Sequence, residues 1–145
     1  MNRAIQTKIL IHSPVDTVWE ALMDYRYYPE WSPTIQPEAD FPAVGHRLKI
    51  KLRQPNGFSI MMYPQILVKD EPTELRWRGR LFFQGLFDGE HYFILREVDA
   101  YTTEFIQGEN FSGLLVPFMR RMIEKDTLSG FDLFNQALKK RVERS

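Results

Sequence analysis

The chain has 145 residues, 19 basic and 19 acidic side chains, and no cysteine. This length predicts a single domain, and the absence of cysteine excludes disulfides and thiolate metal sites. The balanced charge argues against a general nucleic-acid binder. No apolar run is long enough for stable membrane insertion, and Met1–Leu10 lacks the apolar stretch of a signal peptide, so we expect a cytoplasmic protein.

The first predicted element is a strand at Met1–Ile11, where apolar residues alternate loosely with polar ones. A helix follows, with Ser13 as its expected cap and a proline in its first turn. Two prolines interrupt the next segment, so Tyr25–Trp31 forms at most a short second helix. Gln36–Gly45 is predicted to be a loop.

Beyond this loop, apolar residues recur at every second position, which is typical of strands with one buried face. The predicted strands are, in chain order, Leu48–Arg53, Phe58–Val68, Leu75–Leu81, Phe87–Val98 and Tyr101–Phe111. Pro64 indicates a bulge or an edge position within the second of them. The short turns between consecutive strands predict an antiparallel meander.

From about Ser112 to the end, the apolar period becomes 3.6 residues, which predicts one helix of about 25 to 30 residues. Its apolar stripe consists of Met119, Ile123, Phe131, Phe134, Leu138 and Val142. The stripe has a gap at Thr127, next to Gly130, where a ligand, water or a closely packed strand would have to fill the volume. Because this helix must cover one face of the sheet, the pattern predicts an α+β fold.

Segments spread over nearly the whole chain carry a family resemblance. They are Ser13–Pro14, Val18–Leu22, Asp24, Tyr28–Pro33, Gly89–Leu95, Glu109–Leu115 and Phe131–Lys139. In these segments the chain resembles the SRPBCC superfamily, the START-like group that includes polyketide cyclase/dehydratase-like proteins. The resemblance implies one domain over residues 1–145 with a helix-grip fold: a curved antiparallel β-sheet wrapped around a long C-terminal α-helix, with two short helices after the first strand. It also implies a deep cavity that holds a hydrophobic small molecule.

Three polar residues are the sharpest candidates for chemistry. If Phe93 faces the helix, the two-residue period puts His91 on the same face. Gln107 and Glu109 share a face of the next strand, so all three side chains would converge inside the cavity. They would then form a satisfied structural pair, contact a ligand, or move a proton in a cyclisation or dehydration. The strand register decides whether they meet, and a shift of one residue would reverse the argument.

The predicted ligand-binding residues face the space between the sheet and the long helix. They are Trp31, Leu52, Met62, Trp77, His91, Phe93, Gln107, Glu109, Met119, Ile123, Thr127, Gly130, Phe131 and Phe134. The spacing of metal ligands is missing, so we expect neither a metal nor another cofactor. The basic stripes Lys49–Arg53 and Arg76–Arg80 are expected to face solvent, with no nucleic acid as partner.

Three functions remain open at this point. The leading hypothesis is the binding of a hydrophobic or aromatic small molecule. The second is a polyketide cyclase/dehydratase-like enzyme with His91 and Glu109 as its weak catalytic candidates. The third is a ligand-free interaction module whose cavity is filled by its own aromatic side chains. A homodimer through the basic sheet face or an edge strand also stays open.

Overall fold

The computed structural model describes residues 2–81 and 83–144, with only the backbone of Leu81. The predictions for Met1 and for the Leu81 side chain therefore lie outside the described residues. The strands are β1 (Asn2–Ile11), β2 (Ile35–Pro37), β3 (Ile50–Arg53), β4 (Ser59–Met62), β5 (Gln65–Asp70), β6 (Glu74–Leu81), β7 (Phe87–Asp99) and β8 (Thr102–Ser112). The helices are α1 (Val15–Met23), α2 (Tyr28–Trp31, after a 3₁₀ turn at Tyr25–Tyr27), α3 (Arg120–Met122) and α4 (Leu128–Glu143).

A π-helical segment, Ile123–Thr127, joins α3 to α4. We call the three pieces together the C-terminal helix. It packs against β1, β8 and α1, so that the main sheet curves around it. This arrangement is the predicted helix-grip fold, with two short helices after the first strand.

The described strands form two antiparallel sheets rather than the single predicted meander. The main sheet has the order β1-β8-β7-β6-β5, so β5 to β8 follow one another as a meander. The N-terminal strand β1 returns to pair with β8, with Asn2 opposite Ser112 and Ile11 opposite Thr103. The short strands β2, β3 and β4 form a second, smaller sheet.

The division between the two sheets lies at Pro64. The predicted strand Phe58–Val68 ends there as β4 and resumes as β5, because proline has no N–H to donate to a ladder. The carbonyl of Pro64 accepts a hydrogen bond from the Leu48 amide at 2.9 Å. The predicted loop at Gln36–Gly45 is also wrong at its start, since β2 covers Ile35–Pro37 and pairs with β3.

The main sheet has the predicted inner and outer faces. Trp77, His91 and Phe93 are 4%, 6% and 1% exposed, respectively, and point toward the C-terminal helix. Trp77 lies opposite His91, which in turn lies opposite Glu109. On the outer face, Arg76 makes ion pairs with two glutamates at 2.8 Å. The register that the sequence leaves open is therefore the one that brings the polar candidates together.

Helix α1 and the C-terminal helix both begin differently from the prediction. Ser13 does not cap α1, because Pro14 occupies the N-cap position and the helix has no side-chain cap. The C-terminal helix begins at Arg120 rather than at the end of β8. Gly113 has a φ of 120°, which favours glycine, and a 3₁₀ turn follows at Val116–Phe118. The residues after β8 therefore form these turns instead of the predicted first turns of the helix.

The buried apolar side chains form two separate clusters. The larger one packs α1, α2 and α4 against the main sheet, with Phe93, Phe105 and Phe134 among its fully buried members. The smaller one contains Phe87, Phe111, Val116 and Ile123. A cavity lies between the two.

Candidate functional site

The cavity has a volume of about 390 Å³. It is bounded by the C-terminal helix, by β3 and β4 of the small sheet, and by β7 and β8 of the main sheet. Volumes of about 300–1,000 Å³ are typical of small-molecule sites. Its wall consists of Thr34, Ile35, Leu52, Arg53, Gln54, Phe58, Ile60, Met62, Phe87, Gly89, His91, Gln107, Glu109, Phe111, Leu115, Met119, Met122, Thr127, Gly130 and Phe131.

Most of the residues predicted to bind a ligand lie in this wall. They are Leu52, Met62, His91, Gln107, Glu109, Met119, Thr127, Gly130 and Phe131. The gap in the helix stripe is part of the wall, as Thr127 and Gly130 indicate. A Cβ added to Gly130 would lie 3.6 Å from Thr34 and 3.7 Å from Pro55, so the position accepts a methyl group in ordinary van der Waals contact.

The other predicted residues lie away from the wall, in the packed interior. They are Trp31, Trp77, Phe93, Ile123 and Phe134. Trp31 packs on Phe134 with ring centroids 5.2 Å apart, and Phe93 packs on Phe134 at 5.4 Å. None of these five residues is part of the cavity wall. The period of the sequence shows which residues face inward, but it does not show which of them line the cavity and which pack in the core.

Several wall residues were not among the predicted ones. Phe87, Phe111 and Met122 follow the same strand and helix periods as the predicted residues, so the pattern could have identified them. Arg53 and Gln54 lie at the β3–β4 hairpin, which folds over the C-terminal helix. That placement depends on the second sheet, which the sequence does not predict.

The polar candidates do meet, on the inner face of β7 and β8. Nδ1 of His91 lies 3.2 Å from Oε1 of Glu109, and Nε2 of His91 lies 3.0 Å from Oε1 of Gln107. The imidazole also stacks on Trp77, with centroids 5.0 Å apart, and contacts the edge of Phe131 at 5.0 Å. Both ring nitrogens therefore have protein partners, and the ring is held between aromatic side chains.

A chain of hydrogen bonds continues from this group to the N-terminal strand. Gln107 donates its Nε2–H to Oδ1 of Asn135 at 2.7 Å and to the Phe131 carbonyl at 3.4 Å. Asn135 donates its Nδ2–H to Oγ1 of Thr7 at 2.8 Å, and Thr7 donates to the backbone carbonyl of Gln107 at 3.2 Å. Buried polar groups are costly unless they are paired, and this chain pairs them.

Glu109 differs from the rest of this group in having one unpaired oxygen. Oε1 contacts His91, whereas Oε2 has no hydrogen-bond partner among the described residues. The side chain keeps 18% of its surface exposed. A Cβ built on Gly89 would collide with Oε2, so the carboxylate lies directly against the backbone of β7. Glu109 is thus the member of the group that can offer an acceptor to a ligand.

Methionines give one side of the cavity an adaptable surface. Met62, Met119 and Met122 all lie in its wall and are partly buried. The methyl group of Met62 occupies the space above Gly79 that a Cβ would need. Methionine side chains are flexible and polarisable, and they adjust to the shape of an apolar partner.

The described ranges 2–81 and 83–144 contain no metal-binding cluster and no membrane-spanning helix. There, no group of three or more histidine and acidic side chains is arranged to hold a metal ion. In the same residues, no helix is long and apolar enough to cross a membrane.

The fold and this cavity agree with the comparison against known families. The family described as "Polyketide cyclase / dehydrase and lipid transport" matches residues 3–143. The chain belongs to this family, within the SRPBCC superfamily. No curated protein matches the chain significantly.

Solved structures with the same fold include enzymes and a START protein. The ZhuI aromatase/cyclase from Streptomyces sp. R1128 has a TM-score of 0.80 and 16% identity over 99% of this chain and 95% of its own. A START superfamily protein from Mycobacterium smegmatis has a TM-score of 0.72 and 15% identity over 97% of each chain. A norcoclaurine synthase from Thalictrum flavum has a TM-score of 0.73 and 10% identity, covering 99% of this chain and 96% of that one. At these identities the likeness shows the fold alone.

Proposed function

We propose that the protein binds a hydrophobic or aromatic small molecule in the cavity between the sheets and the C-terminal helix. The observation that carries this proposal is a cavity of about 390 Å³ with a mainly apolar wall and a carboxylate oxygen that has no hydrogen-bond partner in the part of the chain that the structure describes. Such a site suits a ligand with an apolar body and one hydrogen-bond donor. The family description, which includes lipid transport, supports this class of ligand.

Filling the cavity tests the proposal. Thr127→Phe combined with Gly130→Leu places two large side chains in the wall, and a Cβ at position 130 meets its neighbours without overlap. We expect the double variant to lose the binding of the neutral fluorescent probe Nile red, while its thermal unfolding stays cooperative. Ser129→Leu is the matched control, because Ser129 is exposed on the same helix. Equal binding by the double variant and the control would refute a ligand site here.

The polar contact is tested with a matched pair of ligands. β-Naphthol carries a hydroxyl donor, and its methyl ether does not. Because a hydrogen bond to a charged group contributes about 1.5–3 kcal/mol, we expect β-naphthol to bind about tenfold more tightly, or better. Glu109→Leu should abolish this preference, whereas Glu104→Leu, which alters the other face of β8, should keep it. A preference that persists in Glu109→Leu would exclude Glu109 as the contact.

A second candidate function is a cyclase or dehydratase. It is favoured by one contact, that of His91 with Glu109 at 3.2 Å inside an apolar site, because such a pair can hold and transfer a proton. The titles of two similar structures name an aromatase/cyclase and a norcoclaurine synthase. Diacetylacetone, which loses water when it closes to a dimethylpyrone, is a minimal test substrate. Turnover that Glu109→Gln abolishes without loss of Nile red binding would support catalysis, and no turnover above buffer would count against it.

A further inference from the structure

Two backbone carbonyls fix the direction of the buried hydrogen-bond chain. The carbonyl of Phe131 can only accept, so the Gln107 atom beside it must be the amide nitrogen. Oε1 of Gln107 therefore faces His91, at 3.0 Å from Nε2. Since an amide oxygen also only accepts, the hydrogen between these two atoms belongs to Nε2 of His91.

The other end of the hydrogen-bond chain, at Thr7, gives the same direction independently. Thr7 donates its hydroxyl hydrogen to the backbone carbonyl of Gln107. The hydroxyl oxygen must then accept from Asn135, which turns the Asn135 amide nitrogen toward Thr7 and its oxygen toward Gln107. Asn135 is 2% exposed, so water has little access to replace either partner.

We propose that Asn135 is a positioning residue that, through Gln107, keeps a proton on Nε2 of His91. Nδ1 of His91 and Oε1 of Glu109 then share one further proton, which lies on either atom. If neither atom carried it, a lone pair of Nδ1 would face the carboxylate across 3.2 Å. Both ring nitrogens of His91 have protein partners, whereas Oε2 of Glu109 has none among the described residues. If the cavity binds a ligand as proposed above, the ligand therefore exchanges this proton with Glu109 rather than with the imidazole.

Breaking the hydrogen-bond chain at Asn135 should allow the His91 imidazole to give up the proton on Nε2. Without an acceptor at Nε2, a neutral ring gains more by carrying its hydrogen on Nδ1, where the Glu109 carboxylate accepts it. Asn135→Leu removes the nearer of the two acceptors that orient Gln107, at 2.7 Å, and leaves only the Phe131 carbonyl at 3.4 Å. Because that distance is longer than the usual 2.7–3.2 Å of an N–H···O hydrogen bond, we expect the Gln107 amide to turn. Asn135→Asp is the conservative variant, because either carboxylate oxygen can accept from Gln107. The Asn135 side chain thus acts on His91 without touching it, and the effect is visible as a change of tautomer.

¹⁵N NMR of histidine-labelled protein measures this tautomer without any ligand. The His91 signals are assigned by their loss in His91→Phe, since His12 and His46 are the other two histidines. We expect a protonated Nε2 in the unmodified protein and in Asn135→Asp, and a neutral ring protonated at Nδ1 in Asn135→Leu. An unprotonated Nε2 in the unmodified protein, or an unchanged pattern in Asn135→Leu, would overturn the proposal.

Glu109→Gln gives a second test that does not depend on the folding of Asn135→Leu. The new amide can donate to Nδ1 or accept from it, so the side chain itself permits both tautomers. If the chain holds the proton on Nε2, His91 must be neutral with Nδ1 unprotonated; the opposite tautomer would refute the mechanism. Because neither measurement uses a ligand, a failure here leaves the Nile red result, and with it the proposed binding function, standing.

Discussion

Gly89→Ala is the substitution that most directly tests the position of Glu109. Gly89 lies in β7 outside the left-handed region, so its backbone tolerates alanine. The added methyl group would collide with Oε2 of Glu109, at the flexible end of that side chain. Because Oε1 of the same carboxylate contacts His91, we expect the movement that relieves the collision to break this contact. Gly89→Ala should therefore break the contact between Glu109 and His91, although Gly89 takes no part in it.

Two opposing contributions set the size of the effect. Loss of a hydrogen bond to a charged group costs about 1.5–3 kcal/mol. Replacing a strand glycine with alanine returns about 0.5–1 kcal/mol, because glycine loses more conformational freedom on folding. The net destabilisation is about 0.5–2.5 kcal/mol, which for a chain of this size lowers the Tm by about 1–10 °C.

A double-mutant cycle with Glu109→Ala identifies the cause. With the carboxylate removed, Gly89→Ala has nothing to displace, and its effect should change sign to a stabilisation of about 0.5–1 kcal/mol. Gly79→Ala is the matched control, since Gly79 lies opposite Gly89 and only the flexible end of Met62 is in the way. Urea unfolding of the four proteins measures the cycle. Equal destabilisation by Gly89→Ala in both backgrounds would show that Glu109 does not occupy this space.

Two further predictions concern the frame around the site. Tyr28 is 1% exposed and donates to the carbonyl of Leu22 at 2.6 Å; Tyr28→Phe should therefore lower the unfolding free energy by about 1–3 kcal/mol in urea unfolding. Hydrogen bonds from Lys139 and the His12 amide lower the pKa of Glu143 from 4.5. Glu143→Gln should therefore destabilise the protein at neutral pH, and this difference should disappear as acid protonates the native carboxylate.

Residues with a strict period were predictable from the sequence. Alternation along β7 and β8 places His91, Gln107 and Glu109 on one inner face, and the structure confirms it. The register that brings them together is set by the short turn before β8 and by the pairing of β1 with β8. Neither has a signal in the alternation itself, because a shift by one residue preserves the pattern while it reverses the faces.

The partners of this group were missed, although a signal for them exists. Asn135 lies between Phe134 and Leu138 of the apolar stripe, and Thr7 interrupts the inward-facing apolar residues of β1. A polar side chain on a buried face needs a partner, so each of them predicts a second polar residue nearby. The sequence does not show that the two side chains meet, since Thr7 and Asn135 lie 128 positions apart in the chain.

The cavity exists because the chain leaves the main sheet at Pro64. If Phe58–Val68 were one strand, β4 would extend the edge of the main sheet beyond the helix and leave that side of the cavity open. The break instead turns β3 and β4 over the C-terminal helix, where Asn56 contacts Asp126 in the π-helical segment at 3.3 Å. Met62, two residues before the proline, reaches back over Gly79. A proline that marks only an irregular strand in the sequence thus helps to determine which side chains enclose the cavity.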